Sequence, residues 1–87
     1  MYMKIAYTPQ FVRMFRKLEH ALKEEVIEKI ELFTQDPIHS QLKAHKLKGK
    51  LKNRHSFSVN YQIRIIYTPI SNDEVAFLAI GDHDVYK

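Results

Sequence analysis

The sequence predicts an α+β fold in which two helices lie on one face of a β-sheet. Three observations predict it: a strand pattern at the start of the chain, two consecutive amphipathic helical patterns, and three strand patterns in the second half. Helices grouped together and strands grouped together are typical of this class. With 87 residues, 45% of them hydrophobic, the chain is sized for one domain spanning residues 1–87.

A short strand followed by a helix is predicted first. In residues 2–7 the apolar Met3 and Ile5 alternate with Lys4 and Ala6, as expected of a strand. Thr8 and Pro9 then suit a helix start, because a threonine hydroxyl accepts from unpaired N–H groups and proline lacks the N–H that would go unpaired. The helix carries an apolar stripe for the core, which comprises Phe11, Met14, Phe15 and Leu18.

A second amphipathic helix is predicted over residues 21–35. Glutamates occupy one side, and the opposite side is apolar, with Leu22, Val26, Ile30 and Phe33. Asp36 and Pro37 end the helix, because a residue that precedes proline is displaced from the helical conformation. The two neighbouring helices are expected to form a hairpin.

Three strands are predicted in the second half of the chain. In residues 56–61 apolar or aromatic side chains alternate with polar ones, and residues 62–67 continue this alternation up to Ile66, which is the pattern of strands. Residues 69–73 have turn composition, and residues 75–80 are almost wholly apolar, as expected of a central strand. The sheet face opposite the helices is then available to a ligand.

The excess positive charge is concentrated in residues 43–55. These thirteen positions hold six basic residues and no acid, whereas residues 1–42 are balanced and residues 56–87 carry two basic and four acidic residues. From position 46 to position 54 every second residue is basic, so an extended backbone would present one charged face, with Lys46, Lys48, Lys50, Lys52 and Arg54. Such a face suits a phosphate backbone, although a solvated lysine-rich loop has the same pattern.

Absences in the sequence narrow the class of protein. The chain has no cysteine, which excludes disulfides and thiolate metal sites. It lacks the apolar run of a signal peptide or a membrane span, so we expect a soluble, cytoplasmic protein without a membrane partner. A glycine-rich phosphate loop and a serine-histidine-aspartate arrangement are also missing.

Arg64 and three histidines are the candidate chemical groups. Arg64 stands in an otherwise apolar strand pattern, where its charge needs either an internal ion pair or a bound phosphate. His45 and His55 flank the basic segment and His83 follows the last strand; histidine suits proton transfer near neutral pH. This set fits metal-independent RNA cleavage, in which the 2′-hydroxyl attacks the neighbouring phosphorus. Residues 82–84, Asp-His-Asp, are alternatively half of a metal site.

The remaining aromatic and histidine side chains have simpler interpretations. Tyr61 and Tyr67 fit the core, and they also fit stacking on unpaired RNA bases. Tyr86 stands beside the last residue of the sequence, where an exposed stacking role is expected. His20 and His39 are expected to be ordinary surface residues.

Four stretches of the sequence together resemble the RelE/ParE superfamily of toxins from type II toxin-antitoxin systems. They run from Phe11 to Leu18, from His45 to Gly49, from Tyr61 to Tyr67 and from Ile80 to Tyr86. The resemblance covers nearly the whole chain and implies a βααβββ fold, with an N-terminal helical hairpin packed on a curved antiparallel sheet. It also implies a cognate antitoxin as partner, in a toxin-antitoxin hetero-oligomer.

The resemblance to the RelE/YafQ-like branch implies roles for single residues. Arg64 matches the arginine that contacts the scissile phosphate, and His83 matches a position with acid-base or phosphate-binding roles. Tyr86 matches the C-terminal aromatic residue, and His45 matches the histidine that YafQ-like members place before the Leu-x-Gly motif. The residues that match the stretch facing ribosomal and messenger RNA are Lys46, Lys48, Lys50, Lys52 and Arg54.

The implied function is that of an mRNA interferase, an endoribonuclease that cuts mRNA on the ribosome without a metal or cofactor. Arg64 would stabilise the phosphorane, His83 would protonate the leaving oxygen, His45 would be the general base, and Tyr86 would orient the substrate. Two alternatives stay open: a non-catalytic ParE-like toxin that binds DNA gyrase, and a degenerate module that binds its antitoxin. An acidic antitoxin segment is expected to cover the basic strip.

Overall fold

Two helices lie against one mixed five-stranded sheet in the computed structural model, which describes residues 2–48 and 53–82. The helices are α1 (Pro9–Arg16) and α2 (His20–Gln35). The strands are β1 (Lys4–Tyr7), β2 (His45–Lys46), β3 (His55–Ser58), β4 (Arg64–Ser71) and β5 (Glu74–Gly81). The predicted α+β class and the order of its elements are confirmed, with β2 as an additional short strand.

The sheet has the strand order β1-β5-β4-β3-β2. The first and last strands, β1 and β5, are parallel neighbours, and the other three neighbouring pairs are antiparallel. The sheet is therefore mixed rather than wholly antiparallel, because β1 is followed by helices instead of a hairpin turn and pairs with the strand most distant from it in the sequence. The apolar β5 lies between β1 and β4, so its prediction as an interior strand is confirmed.

Thr8 and Pro9 begin α1 as predicted. Thr8 is the N-cap with extended backbone, and its Oγ1 accepts from the N–H of Phe11 at 3.2 Å. The same hydroxyl donates to the carbonyl of Phe77 at 2.8 Å. A single side chain thus caps the helix and ties its start to β5.

Helix α2 ends where proline was expected to end it. Asp36, the residue before Pro37, leaves the helical region with φ −150° and ψ 80°. Neither helix in the described part of the chain is long and apolar enough to cross a membrane.

The chain between α2 and β2 turns through Lys43. A short 3-10 helix, Ser40–Leu42, buries Leu42 completely, and Lys43 follows it in the left-handed region with φ 50° and ψ 41°. This conformation costs a residue with a Cβ roughly 1–2 kcal/mol. Lys43 therefore occupies a position that suits glycine or asparagine better.

The core lies between the helices and the sheet and is centred on aromatic rings. Phe33 of α2 stacks on Phe57 with ring centroids 4.6 Å apart. It also meets the edges of Tyr67 and Phe77, at 5.0 Å and 5.8 Å. Phe11 of α1 packs against Phe77 at 5.3 Å, so both helices converge on β5 and its neighbours.

The middle of the opposite sheet face is closed to solvent. Ser56, Ile66 and Ala79 are cross-strand partners there, and their exposed fractions are 0%, 3% and 7%. None of the three belongs to the cluster beneath the helices. The expectation that this whole face is available to a ligand is therefore wrong for its centre.

We expect Thr8→Ala to lower the free energy of unfolding by about 1–2 kcal/mol, because it removes the α1 cap together with the bond to β5. Thr8→Ser keeps both hydrogen bonds and is the matched control. Urea unfolding followed by circular dichroism measures the difference. Equal stability of the alanine and serine variants would contradict the capping role.

Candidate functional site

Arg64 is the first residue of β4 and lies at an end of the sheet. Its cross-strand partners are Ser58 on β3 and Gly81 on β5. Cross-strand partners share a sheet face, and the Nη1 of Arg64 donates to the Oγ of Ser58. Gly81 adds no side chain on the other flank of the half-buried Arg64.

An internal ion pair does not account for Arg64 within residues 2–48 and 53–82. The ion pairs of this part of the chain join Lys4 to Asp73 and His20 to Glu24. A guanidinium has five N–H donors arranged as a planar fork, and a serine hydroxyl engages one of them. The same fork fits a phosphate group in a bidentate manner.

A cleft of about 480 Å³ opens beside Arg64. It is built by α2, by the 3-10 helix with the residue that follows it, and by the end of β3, the start of β4 and the loop between them. Its lining contains three cationic side chains, from Lys29, Lys43 and Arg64, and one carboxylate, from Glu25. Glu25 accepts a hydrogen bond from Nδ2 of Asn60, so this carboxylate has a partner inside the cleft. The cleft thus has a net positive lining.

The loop between β3 and β4 presents Tyr61 to solvent. Oδ1 of Asn60 accepts from the N–H groups of Gln62 and Ile63, both at 2.8 Å, which closes a tight turn around Tyr61. Tyr61 is 93% exposed and lines the cleft, whereas Tyr67 is 7% exposed and lies in the core. The core role is confirmed for Tyr67 and wrong for Tyr61.

His45 lies on β2, two strands from Arg64. It pairs with Ser56, which stands two residues from Ser58 on the same face, so strand spacing and rise separate the Cα atoms of His45 and Arg64 by roughly 12 Å. Nδ1 of His45 is 3.0 Å from the carbonyl of Lys43. A carbonyl can only accept, so Nδ1 carries the proton and Nε2 of the neutral ring is a proton acceptor.

The two described ends of the basic segment, residues 45–48 and 53–55, pair as a hairpin arm instead of lying along one extended strip. β2 and β3 are antiparallel, and the N–H of Leu47 donates to the carbonyl of Arg54 at 2.8 Å, so the chain reverses between them. Lys46, Lys48 and Arg54 are exposed near this reversal. The predicted single charged face is therefore wrong for the described residues, because Lys46 and Lys48 lie on one side of the hairpin arm and Arg54 lies on the other. Four predicted site residues lie outside the described part of the chain: Lys50, Lys52, His83 and Tyr86.

His55 is the one of the three candidate histidines to which the sequence assigns no individual role in the reaction. Its ring stacks on Tyr67 with centroids 5.3 Å apart. Burial lowers the pKa of His55, and the nearby charges of Lys46 and His45 lower it further. These residues line a second, largely apolar groove of about 480 Å³. The sequence signal that could have singled out His55 is its position beside the basic segment.

The two surface histidines behave as expected. His20 is exposed and 2.9 Å from Glu24, and Nδ1 of the exposed His39 accepts from the N–H of Gln41. Within residues 2–48 and 53–82, His, Asp and Glu form no cluster of three that could hold a metal ion. The candidate half-site at residues 82–84 extends beyond this range.

The fold is that of RelE-like toxins from toxin-antitoxin systems. A chain of the RelBE2 toxin-antitoxin complex from Mycobacterium tuberculosis superposes with a TM-score of 0.80 at 16% identity, covering 95% of this chain and 100% of that one. YafQ from Escherichia coli gives 0.78 at 18% identity and covers 97% of both chains. A copper-bound mutant toxin from Helicobacter pylori gives 0.69 at 24% identity, with full coverage of both.

These structural neighbours include toxins described as RelE, YafQ and YoeB/ParE, from bacteria and an archaeon. No protein-family model and no curated protein sequence matches the chain. The predicted resemblance is therefore confirmed through the fold, while the identities of 16–24% among these toxins leave activity to be argued from the site.

We expect Lys46→Gln to raise the pKa of His55, because a neighbouring positive charge disfavours the imidazolium. Lys48→Gln is the matched control and should leave this pKa unchanged. An NMR titration of the His55 ring measures it. Because the folded protein binds fewer protons here than the unfolded chain, stability decreases as pH falls below about 6.5, and Lys46→Gln should weaken that decrease. An unchanged titration would contradict the assignment.

We expect Asn60→Ala to lower the free energy of unfolding by roughly 2 kcal/mol, since it leaves two loop N–H groups and Glu25 without their partner. Asn60→Asp keeps the turn acceptor but sets a carboxylate against Glu25, and the further change Glu25→Gln should restore part of the loss. Denaturant unfolding of the unchanged protein, of Asn60→Asp, of Glu25→Gln and of the variant with both changes measures this coupling. Additive effects of the two changes would exclude it.

Proposed function

We propose that this protein is the toxin of a type II toxin-antitoxin system and that it cleaves mRNA on the ribosome in the cytoplasm. One observation carries the proposal: a half-buried arginine, Arg64, has a hydroxyl partner on one side and opens into a cleft with a net positive lining. This environment suits a substrate phosphate that takes on additional negative charge during the reaction.

The proposed reaction needs a base, an acid and a group that stabilises the phosphorane. The substrate 2′-hydroxyl gives its proton to the base as its oxygen attacks phosphorus, and the 5′-oxygen leaves after taking a proton from the acid. The products are a 2′,3′-cyclic phosphate and a 5′-hydroxyl. Arg64 would hold the non-bridging oxygens through its fork of N–H donors.

The acid and base are assigned to histidines. His45 has the tautomer that a base requires, with Nδ1–H held by the carbonyl of Lys43 and Nε2 able to accept a proton. The roughly 12 Å between the Cα atoms of His45 and Arg64 requires both side chains to extend toward one substrate. His83, proposed as the acid, follows Gly81, the strand partner of Arg64, by two positions in the sequence. Tyr86 is proposed to orient the substrate.

Binding of mRNA and ribosomal RNA is assigned to the basic hairpin arm. The exposed Lys46, Lys48 and Arg54 would bind phosphates, and Lys50 and Lys52 belong to the same proposed set by their sequence positions. The second proposed partner is an acidic antitoxin. It would neutralise the same charges, and together with the toxin it would form a hetero-oligomer.

We expect Arg64→Ala to reduce cleavage of mRNA at least 100-fold, because one preorganised charge is lost from the transition state. Arg64→Lys keeps the charge without the fork and should show an intermediate loss. Arg16→Ala, at an exposed arginine of α1, is the matched control. Primer extension in a purified translation system, with and without ribosomes, measures cleavage.

Two results would overturn this proposal. Cleavage by Arg64→Ala at the rate of the unchanged protein would remove Arg64 from the site. An intact message together with inhibited DNA gyrase supercoiling would instead identify a non-catalytic, ParE-like toxin. Unfolding curves of each variant separate a loss of activity from a loss of fold.

A further inference from the structure

We propose that the cleft beside Arg64 is a nucleotide subsite, in which an unpaired base stacks on Tyr61 and an adjoining phosphate lies between Lys29 and Lys43. This inference rests on the proposed function, because it assigns to the cleft a second nucleotide of the same RNA strand. The subsite would position the nucleotide next to the cleaved bond and determine how firmly that nucleotide is held.

Tyr61 has the exposure and the support that a stacking platform requires. A tyrosine that is 93% exposed leaves most of its ring in water, which is unfavourable for a large aromatic side chain in a free protein. The residues on both sides of this turn, Val59 and Ile63, are 1% and 7% exposed and joined by an N–H to carbonyl bond of 2.8 Å. The ring is thus presented by an anchored turn, which lowers the entropic cost of stacking.

The turn is also fastened to α2. Asn60 donates to Glu25, so the loop that carries Tyr61 and the helix that carries Lys29 are joined across the cleft. The amide is neutral and leaves the charge of Glu25 in place, so the lining holds three cationic side chains against one carboxylate and stays net positive. A polyanion is therefore the favoured occupant, and the volume of about 480 Å³ lies within the range of small-molecule sites, roughly 300–1,000 Å³.

Lys43 provides an independent observation. It is held in the left-handed region, with φ 50°, where a residue with a Cβ is disfavoured, and its carbonyl is the acceptor for Nδ1–H of His45. A glycine would fill this backbone position without strain, so the lysine side chain indicates a role beyond the turn. Its side chain lines the cleft with Lys29 and Arg64.

RNA is favoured over an acidic peptide by the combination of groups. Single-stranded nucleic acid alternates flat bases with phosphates, and its binding sites combine exposed aromatic rings with cations. An acidic peptide needs the cations but has no requirement for a tyrosine at 93% exposure. The exposed aromatic ring beside the cations therefore favours RNA over an acidic peptide.

Fluorescence anisotropy with a labelled 2′-O-methyl oligoribonucleotide of about six residues tests the subsite, because this probe binds without being cut. We expect Tyr61→Ala to weaken its affinity about tenfold and Tyr61→Phe to restore it. Tyr2→Ala, at another exposed tyrosine, should change nothing. Lys29→Ala should reduce the slope of log K against log salt concentration by about 0.7, and Lys17→Ala, outside the cleft, should not.

The outcomes separate this inference from the proposed function. Oligonucleotide binding that depends on Tyr61, in a protein that cuts no mRNA on ribosomes, would support the subsite and overturn the nuclease. If the protein cuts mRNA on ribosomes, but Tyr61→Ala binds the oligonucleotide as tightly as the unchanged protein does, the nuclease is supported and the subsite is overturned. Absence of oligonucleotide binding, or a Tyr61→Ala loss confined to a poly-glutamate peptide, would overturn the subsite.

Discussion

Phe33 reaches from the last turn of α2 into the sheet and contacts rings on three strands, with centroid distances of 4.6–5.8 Å. Aromatic pairs of this geometry contribute about 0.5–1.5 kcal/mol each beyond burial. Lys29 and Glu25 precede Phe33 by four and eight residues and lie on the same side of the helix. The contact that fixes α2 on the sheet therefore also places these two side chains in the cleft.

The start of β4 imposes a second constraint. The pairing of Ser58 with Arg64 closes a five-residue loop whose apolar members, Val59 and Ile63, are buried. The remaining loop positions carry polar or aromatic side chains, and Asn60 satisfies the N–H groups that the ladder leaves unpaired. The exposure of Tyr61 therefore follows from the way Asn60 closes the loop around it.

Much of the fold is predictable from sequence because it depends on local spacing. The apolar periodicity of α1, α2 and β5 and the cap at Thr8 involve residues a few positions apart. These predictions are confirmed, except that α1 ends at Arg16 and Leu18 packs against the core from beyond the helix. The parallel pairing of β1 with β5 joins residues about seventy positions apart, which no local pattern encodes. Tyr61 is predicted to lie in the core but is exposed, because the side chain of Asn60 competes with the strand for backbone N–H groups and turns the chain there.

The candidate site was predictable in its chemistry and less so in its arrangement. Arg64 stood out because a charge in an apolar strand needs a partner, but its bond to Ser58 depends on register. Alternating charge has the same period in one strand and in the two strands of a hairpin, so the alternation in residues 46–54 does not distinguish a strip from a hairpin.

The hairpin arm has a consequence for partner binding. Lys43 faces the cationic cleft, while His45 and Lys46 line the apolar groove. Two surfaces of different chemistry thus meet within four residues of chain. A positive potential extends over both, since charges are screened only beyond about 10 Å at moderate salt. An acidic partner in the groove would therefore lower the affinity of the cleft for a polyanion without entering it.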